Sequence, residues 1–148
     1  MASGSSSWIC LRDCSLPGNE NRCPSRSGYR CAVTAQPPTV PDIDPTAARL
    51  LIDGGAFLLD VREDDEWEAG HAPEAVHVAM GLVPERRDEI PDDRTVVCVC
   101  RVGGRSGAVA GALAGQGYDV RNLDGGMLAW EAAGLPVVTE SGDVGRIV

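Results

Sequence analysis

Residues 96–106 read VVCVCRVGGRS, and the rest of the chain is organised around this stretch. It opens with a short apolar run rich in β-branched side chains, which is typical of a buried strand in a parallel sheet. The run leads directly into Cys100, two glycines and two arginines, and a helix is predicted to begin near Ser106. In open α/β sheets, ligands bind at the carboxyl ends of the strands. The stretch therefore predicts a ligand-binding loop between a central strand and a helix.

The residues of this loop suit a reactive thiol at Cys100. A helix N-terminus offers unpaired N–H groups and a partial positive charge. Gly103 and Gly104 allow successive amides to turn inward as an anion-binding nest, and the guanidinium groups of Arg101 and Arg105 can hold a tetrahedral oxyanion. Lowering a thiol pKa by about two units from about 8.5 makes the thiolate the major form at pH 7. Cys100 is therefore the predicted nucleophile.

Four collinear motifs, the loop among them, resemble those of the rhodanese family of sulfurtransferases. In chain order they are LLDVRE at residues 58–63, EWEAGHAPEA at 66–75, CRVGGRS at 100–106 and NLDGGMLAW at 122–130. Together with Gly134 and Pro136, they extend the resemblance from about Val40 to Val138. Their order and spacing are those of a single-domain member, and four motifs in order are far more specific than any one of them.

The resemblance implies a sulfurtransferase that carries sulfur as a persulfide on the catalytic Cys100. The thiolate would attack the outer sulfur of a donor such as thiosulfate, sulfite would leave, and cyanide or a thiol would remove the bound sulfur. Asp60 and Arg62 would support the site as an ion pair that fixes the loop geometry, and neither a cofactor nor a metal is implied. The remaining loop residues would bind the substrate, namely Arg101, Val102, Gly103, Gly104, Arg105 and Ser106.

Loop length distinguishes sulfur transfer from phosphate ester hydrolysis. Phosphatases of similar design place their residues as Cys-x5-Arg, a cradle sized for phosphate, usually with an Asp as the acid. Cys100 and Arg105 are spaced as Cys-x4-Arg, which is one residue shorter. The resemblance implies that the tighter loop holds a persulfide. The two arginines favour an oxyanion donor such as thiosulfate over a carboxylate donor such as mercaptopyruvate.

Strands alternating with helices predict an α/β fold with a mostly parallel sheet. The resemblance implies a single rhodanese-like domain whose sheet has about five strands and is covered by helices on both faces. The domain is expected at residues 39–140, followed by a polar C-terminal tail at 141–148. Strands are predicted at 39–43, 56–61, 75–80, 96–99 and 120–123. Helices are predicted from Pro45 to Gly54, at 63–68 and 82–90, from near Ser106 to about Leu113, and at 127–133.

Residues 1–38 differ in composition from the rest of the chain. They are rich in Ser and poor in aliphatic residues, so we expect a disordered extension, a mis-assigned start or a targeting segment. Their cysteines lack the paired CxxC spacing of a zinc site, and no secretory signal precedes them to favour disulfides. The role of these cysteines stays open; they are Cys10, Cys14, Cys23 and Cys31.

The charge of the chain limits its partners. The formal net charge is −9, and residues 41–148 carry nine arginines against twenty acidic residues. An acidic domain argues against nucleic acid and anionic membranes as partners, and no apolar run approaches the roughly 18 residues that would span a bilayer. We therefore expect a cytoplasmic protein whose partners are a small-molecule sulfur donor, a thiol or cyanide acceptor and, as a further acceptor, a sulfur-accepting protein.

Two other functions fit the same residues. A non-catalytic rhodanese-like binding or regulatory module would commonly lose the cysteine, which this chain keeps. A redox sensor would pair Cys98 with Cys100 and needs both sulfurs to be accessible, whereas Cys98 lies within the strand and is predicted to pack in the core. His71 is predicted to stabilise a turn, because a thiolate already stabilised by amides and arginines needs no histidine base.

Overall fold

The computed structural model describes residues 39–148. The predictions for residues 1–38, including those for Cys10, Cys14, Cys23 and Cys31, lie outside the described residues. Within the described range the chain forms a five-stranded sheet in which every pairing is parallel, together with four α-helices. The predicted α/β fold is confirmed.

The sheet places the strand before Cys100 at its centre. The strand order is β1-β5-β4-β2-β3. The strands are β1 (Asp42–Ile43), β2 (Phe57–Asp60), β3 (Ala75–His77), β4 (Val96–Val99) and β5 (Val120–Leu123). The α-helices are α1 (Pro45–Asp53), α2 (Asp64–Ala69), α3 (Gly104–Ala114) and α4 (Gly126–Ala132). No helix in this part of the chain combines the length and the apolar character that crossing a bilayer demands.

Strand β4 is buried on both faces of the sheet, which explains its uninterrupted apolar sequence. Alternate side chains enter two separate cores. Cys98 packs with the α3 residues Val109 and Leu113 on one face. Val97 packs with Trp130 of α4 on the other face, in a core that α1 also covers. Helices therefore cover both faces of the sheet.

Helix α1 begins where local sequence rules place it. The Asp44 carboxylate accepts a hydrogen bond from the Ala47 amide at 2.9 Å, which caps the helix, and Pro45 occupies its first turn. The helix ends at Gly54, whose N–H donates to the Leu50 carbonyl at 3.0 Å. The short strand β1 precedes this helix at the edge of the sheet and holds only Asp42 and Ile43 of the predicted strand at 39–43, so Pro41 lies outside it.

The predicted helix at 82–90 is wrong, because the segment forms two short 3₁₀ turns instead, at Met80–Leu82 and Arg87–Glu89. Pro84 has no N–H to donate, so the first turn does not extend into an α-helix. Pro91 disfavours the helical conformation for the residue before it, and Ile90 is extended at φ −96° and ψ 116°. The predicted strand at 75–80 is also shorter, because β3 ends at His77.

The C-terminal segment returns to the domain beside α2. Val138 forms isolated antiparallel bridges with both His71 and Val144. The Arg146 amide then donates to the carbonyl of Ala69 at 3.0 Å. Residues 141–148, which composition separates as a polar tail, therefore share backbone hydrogen bonds with the domain.

Candidate active site

Cys100 lies directly after β4, at the carboxyl end of the central strand, and its side chain is buried. The following helix α3 begins at Gly104, earlier than the predicted start near Ser106. Its N-cap is Gly103, which adopts the left-handed conformation at φ 99°. A side chain at this position would be strained, and its Cβ would lie 3.3 Å from the Leu123 carbonyl oxygen. The glycine therefore allows the sharp turn from strand to helix.

The Cys100 sulfur receives hydrogen bonds from the loop that follows it. The Gly103 amide lies 3.1 Å from Sγ, and the Ser106 hydroxyl oxygen lies 3.4 Å from it. Burial alone raises the pKa of the Cys100 thiol. The Ser106 hydroxyl and the amides of Ser106, Val102 and Gly103 lower it, and their combined effect is larger than that of burial. The net effect holds the Cys100 pKa below the ordinary value of a thiol. The loop therefore favours the thiolate.

Helix α4 fixes the backbone of the same loop from the opposite side. The amide of Met127 donates to the Cys100 carbonyl at 2.8 Å, and the amide of Leu128 donates to the Arg101 carbonyl at 3.2 Å. Gly126 permits this approach, since a Cβ there would lie 2.6 Å from the Arg101 carbonyl oxygen. The first two loop carbonyls are thus bound to α4 while loop amides point to the sulfur.

The two loop arginines have different surroundings. Arg105 donates to both carboxylate oxygens of Glu66, at 2.6 and 2.7 Å. These hydrogen bonds hold the pKa of the Glu66 carboxyl below its usual range. Arg101 is exposed and has no ion-pair partner within residues 39–148. The sequence prediction treats both guanidinium groups as available to an oxyanion, whereas one of them is engaged by a carboxylate.

Asp60 and Arg62 form an ion pair that is completely buried, with 2.8 Å between Nη2 and Oδ2. The Arg62 guanidinium also donates to the carbonyl of Glu66 at 3.1 Å and to the carbonyl of Gly70 at 2.8 Å. Both acceptors belong to α2 or to its C-cap. The pair therefore fixes the helix that presents Glu66 to Arg105, which is a link the sequence does not reveal.

His71 bonds to backbone groups at the end of α2. Its ring stacks on Trp67 with 3.6 Å between centroids, and its Nδ1 lies 3.1 Å from the Trp67 carbonyl oxygen. The ring of His77 stacks on the same tryptophan at 4.9 Å. This arrangement agrees with the turn-stabilising interpretation of His71. Within residues 39–148, no group of three or more His, Cys, Asp or Glu side chains is placed to hold a metal ion.

Cys98 lies in the core, as the sequence predicts. Burial raises the pKa of its thiol to about 12. A thiol with that pKa is ionised in only about one molecule in 10⁵ at pH 7. Since the thiolate is the reactive form, Cys98 is unsuited to act as a resolving thiol or a redox partner.

Sequence reasoning missed two side chains of the site. Glu66 lies three residues after Glu63 and forms a capping box with it, a spacing that marks a helix start but gives no sign of Arg105. Asn122 is buried in β5, where its Oδ1 accepts from the Ser106 hydroxyl at 2.7 Å. A polar residue inside a buried strand is the one signal that could have identified it.

Comparison with known proteins gives consistent matches. A family profile described as the rhodanese-like domain matches residues 44–133. A sulfurtransferase of Allochromatium vinosum is 41% identical over 102 residues, covering 68% of this chain and 95% of the relative. The thiosulfate sulfurtransferase GlpE of Pseudomonas syringae is 37% identical over 89 residues, covering 60% of this chain and 84% of the relative. The crystal structure of a rhodanese-related protein from Thermoplasma volcanium has a TM-score of 0.64 at 26% identity, covering 68% of this chain and 99% of that protein.

Proposed function

Because the chain belongs to the rhodanese-like domain family, and relatives named as sulfurtransferases support a role in sulfur transfer, we propose that it takes a sulfane sulfur from thiosulfate. The sulfur is carried as a persulfide on Cys100 and passed to cyanide or to a thiol. The loop residues Arg101 to Ser106 bind the donor and the persulfide. Asp60 and Arg62 support the loop through α2.

One observation supports this proposal most strongly. The Cys100 sulfur lies at the carboxyl end of the central strand and accepts a hydrogen bond from the Gly103 amide at 3.1 Å, with the Ser106 hydroxyl oxygen 3.4 Å away. The loop closes at Arg105 with the Cys-x4-Arg spacing. Fixed backbone donors around a sulfur stabilise negative charge on it without any movement during the reaction. A thiolate and a persulfide anion both need that stabilisation.

In the first half-reaction the Cys100 thiolate attacks the outer sulfur of thiosulfate. A bond forms between Sγ and that sulfur, the sulfur–sulfur bond of thiosulfate breaks, and its electron pair leaves with sulfite. Charge is conserved, because a thiolate and a thiosulfate dianion become a persulfide anion and a sulfite dianion. The amides of Ser106, Val102 and Gly103 are the backbone donors that stabilise negative charge at the Cys100 sulfur.

In the second half-reaction a nucleophile removes the bound sulfur. Cyanide, or an acceptor thiolate, attacks the terminal persulfide sulfur and the bond to Sγ breaks. The electron pair returns to Cys100 as the thiolate, so no net proton is consumed with cyanide as the acceptor. The depressed Cys100 pKa assists this step as well, since a stable thiolate is a good leaving group.

The donor is recognised by one exposed arginine. Arg101 is free of ion pairs within the described residues, while Arg105 is bound to Glu66. A guanidinium group binds planar or tetrahedral oxyanions through several N–H groups at once. Arg101 therefore serves the sulfonate oxygens of thiosulfate, and Arg105 shapes the loop and adds positive potential near Cys100.

Mass spectrometry of the full chain after treatment with thiosulfate tests the function. We expect an addition of about 32 Da, the mass of one sulfur atom, on the peptide that contains Cys100. Cyanide should then remove the addition and release thiocyanate. The Cys100→Ser variant should lose both results, because a hydroxyl is close in size but forms no persulfide. The Cys98→Ala variant is the matched control and should load sulfur as the wild type does.

The same measurement distinguishes the other two functions. A Cys98–Cys100 disulfide would support a redox sensor, although the burial of Cys98 argues against one. No modification of Cys100 at all would support a non-catalytic binding module. Either result would contradict sulfur transfer, as would turnover that persists in Cys100→Ser.

A further inference from the structure

The Ser106 hydroxyl has more hydrogen-bond acceptors around it than it has protons. Its Oγ lies 3.4 Å from the Cys100 sulfur, 3.2 Å from the Gly103 carbonyl oxygen and 2.7 Å from Asn122 Oδ1. A serine hydroxyl carries a single proton and therefore donates to one of these groups at a time. The shortest of the three distances leads to Asn122.

Asp42 fixes the direction of this hydrogen-bond network. Asn122 Nδ2 lies 2.8 Å from Asp42 Oδ1. An ionised carboxylate only accepts hydrogen bonds, so the amide nitrogen of Asn122 must face Asp42 and the amide oxygen must face Ser106. An amide oxygen also only accepts. Ser106 is therefore the donor, and its proton lies towards Asn122 in this arrangement.

The sheet holds Asn122 and its partner Asp42 in place. Asp42 of β1 pairs with Asn122 of β5, and Asn122 pairs with Cys98 of β4, so the three residues lie in one row across the sheet. The Asn122 side chain is also confined by α3, since a Cβ on Gly107 would lie 3.4 Å from Nδ2. The amide therefore has little room to turn away from Ser106.

We propose that Asn122 is a positioning residue for Cys100, acting by competing with the sulfur for the single proton of the Ser106 hydroxyl. While the Ser106 hydroxyl donates to the Asn122 amide oxygen, it can only accept a hydrogen bond from Cys100, which suits a neutral thiol. To stabilise the thiolate, the hydroxyl must turn to the sulfur and give up its bond to Asn122. The cost of that exchange limits how strongly the loop favours the thiolate.

The effect of Asn122 on the Cys100 thiolate is independent of the substrate. The same competition would apply to a persulfide on Cys100, and that statement rests on the proposed function. The charged groups around the loop are Arg101, the pair of Arg105 with Glu66, Glu63 whose charge also acts on Arg105, the pair of Asp60 with Arg62, and Asp42 behind Asn122. Neutral substitutions at 122 and 106 change none of these charges. A shift in the Cys100 pKa between such variants therefore reports the hydrogen bond and not the surrounding charge.

The test is a cycle of four proteins: the wild type, Asn122→Ala, Ser106→Ala and the double variant. The rate at which iodoacetamide alkylates the Cys100 peptide of the full chain is measured against pH by mass spectrometry. Asn122→Ala should lower the Cys100 pKa by about half a unit to one unit, because the Asn122 amide oxygen, the acceptor at the shortest distance, then no longer competes with the sulfur for the hydroxyl proton. Ser106→Ala should raise it more in the Asn122→Ala background than in the wild type.

An unchanged pKa in Asn122→Ala, or an equal shift with and without the Ser106 hydroxyl, would overturn the proposal. If Asn122→Ala does not fold, Asn122→Leu keeps the volume, removes the acceptor and should give the same shift. Loading with thiosulfate is scored separately in all four proteins. A missing coupling with intact loading overturns this inference alone, whereas an intact coupling without loading overturns the proposed function alone.

Discussion

Arg105 donates to both carboxylate oxygens of Glu66, at 2.6 and 2.7 Å, although 39 positions separate the two residues in the chain. The pair joins the first turn of α3 to α2. It also places a negative charge close to the site that is proposed to bind an anion. We therefore expect the affinity for the proposed donor to depend on a carboxylate outside the loop as well as on the arginines within it.

Arg101→Ala should weaken binding of thiosulfate more than it slows the chemical step. The exposed guanidinium would act mainly on the bound donor, so we expect KM to rise about 10-fold, equivalent to the loss of one charge-assisted hydrogen bond, with a smaller fall in kcat. Steady-state titrations at low and high salt measure this, and high salt should raise KM less in the variant. The control is Arg94→Ala, which removes an exposed arginine at the amino end of β4. Equal KM in both variants would mean that backbone amides alone hold the donor.

Glu66→Gln should lower KM for thiosulfate, because it removes a negative charge and releases Arg105. We expect a several-fold decrease that added salt reduces. Glu68→Gln on the same helix makes the same charge change at an exposed position and should leave KM unchanged. A higher KM in Glu66→Gln than in its control would show that the ion pair, and not the released arginine, serves the donor.

The stability effect of Glu66→Gln should depend on pH. Arg105 lowers the pKa of Glu66 in the folded state, so the pair stabilises the fold fully above the unfolded carboxyl pKa of about 4.3. That stabilisation is lost as the pH falls through the lower folded pKa. Urea unfolding at pH 7 should show a loss of about 1 kcal/mol for the variant, and the difference should shrink towards pH 3. A difference that grows on acidification would contradict the ion pair.

Arg62→Met should destabilise the domain more than any other single change discussed here. It leaves the buried Asp60 carboxylate without its partner and the carbonyls of Glu66 and Gly70 without a donor. Breaking a buried ion pair costs about 3–5 kcal/mol, which urea unfolding would measure. Adding Asp60→Leu to the variant removes the unpaired charge and should recover part of the loss. A loss below about 1 kcal/mol would mean that water reaches the carboxylate.

Gly126→Ala should damage the loop through its backbone. The new Cβ would lie 2.6 Å from the Arg101 carbonyl oxygen and would separate α4 from the two carbonyls it binds. We expect a loss of stability and a return of the Cys100 pKa towards that of an ordinary thiol, measured by unfolding and by alkylation against pH. The control is Gly111→Ala, where the new Cβ would meet nothing within 4 Å beyond the neighbouring backbone of its own helix, and the gain in helix propensity should stabilise the domain by about 0.5–1 kcal/mol. Normal alkylation of Gly126→Ala would show that α4 does not shape the loop.

The features that sequence predicts here are those set by neighbouring residues. The run at 96–99, the glycines after Cys100 and the cap at Asp44 are local patterns, and they predict the central strand, the turn and the first helix. The wrong prediction of a helix at 82–90 has a local cause as well. Pro84 within the segment and Pro91 directly after it both oppose the α-helical conformation.

The parts of the site that sequence does not reveal depend on contacts between distant segments. Glu66 meets Arg105 only after α2 and α3 have packed on the sheet, and Asn122 meets Ser106 only after β5 has paired with β4. No spacing rule relates such residues. Their roles require coordinates, because the same charges and amides would be ordinary surface or strand residues elsewhere.

The groups that lower the Cys100 pKa are the Ser106 hydroxyl and backbone amides of a loop whose first two carbonyls are bound to α4, and the side chains at the rim of the loop are not among them. Arg101 and Val102 are both exposed there. Evolution can therefore exchange the rim residues to accept a new donor without retuning the nucleophile. A library randomised at positions 101 and 102 should retain a reactive Cys100 in most members while its preference among donors diverges.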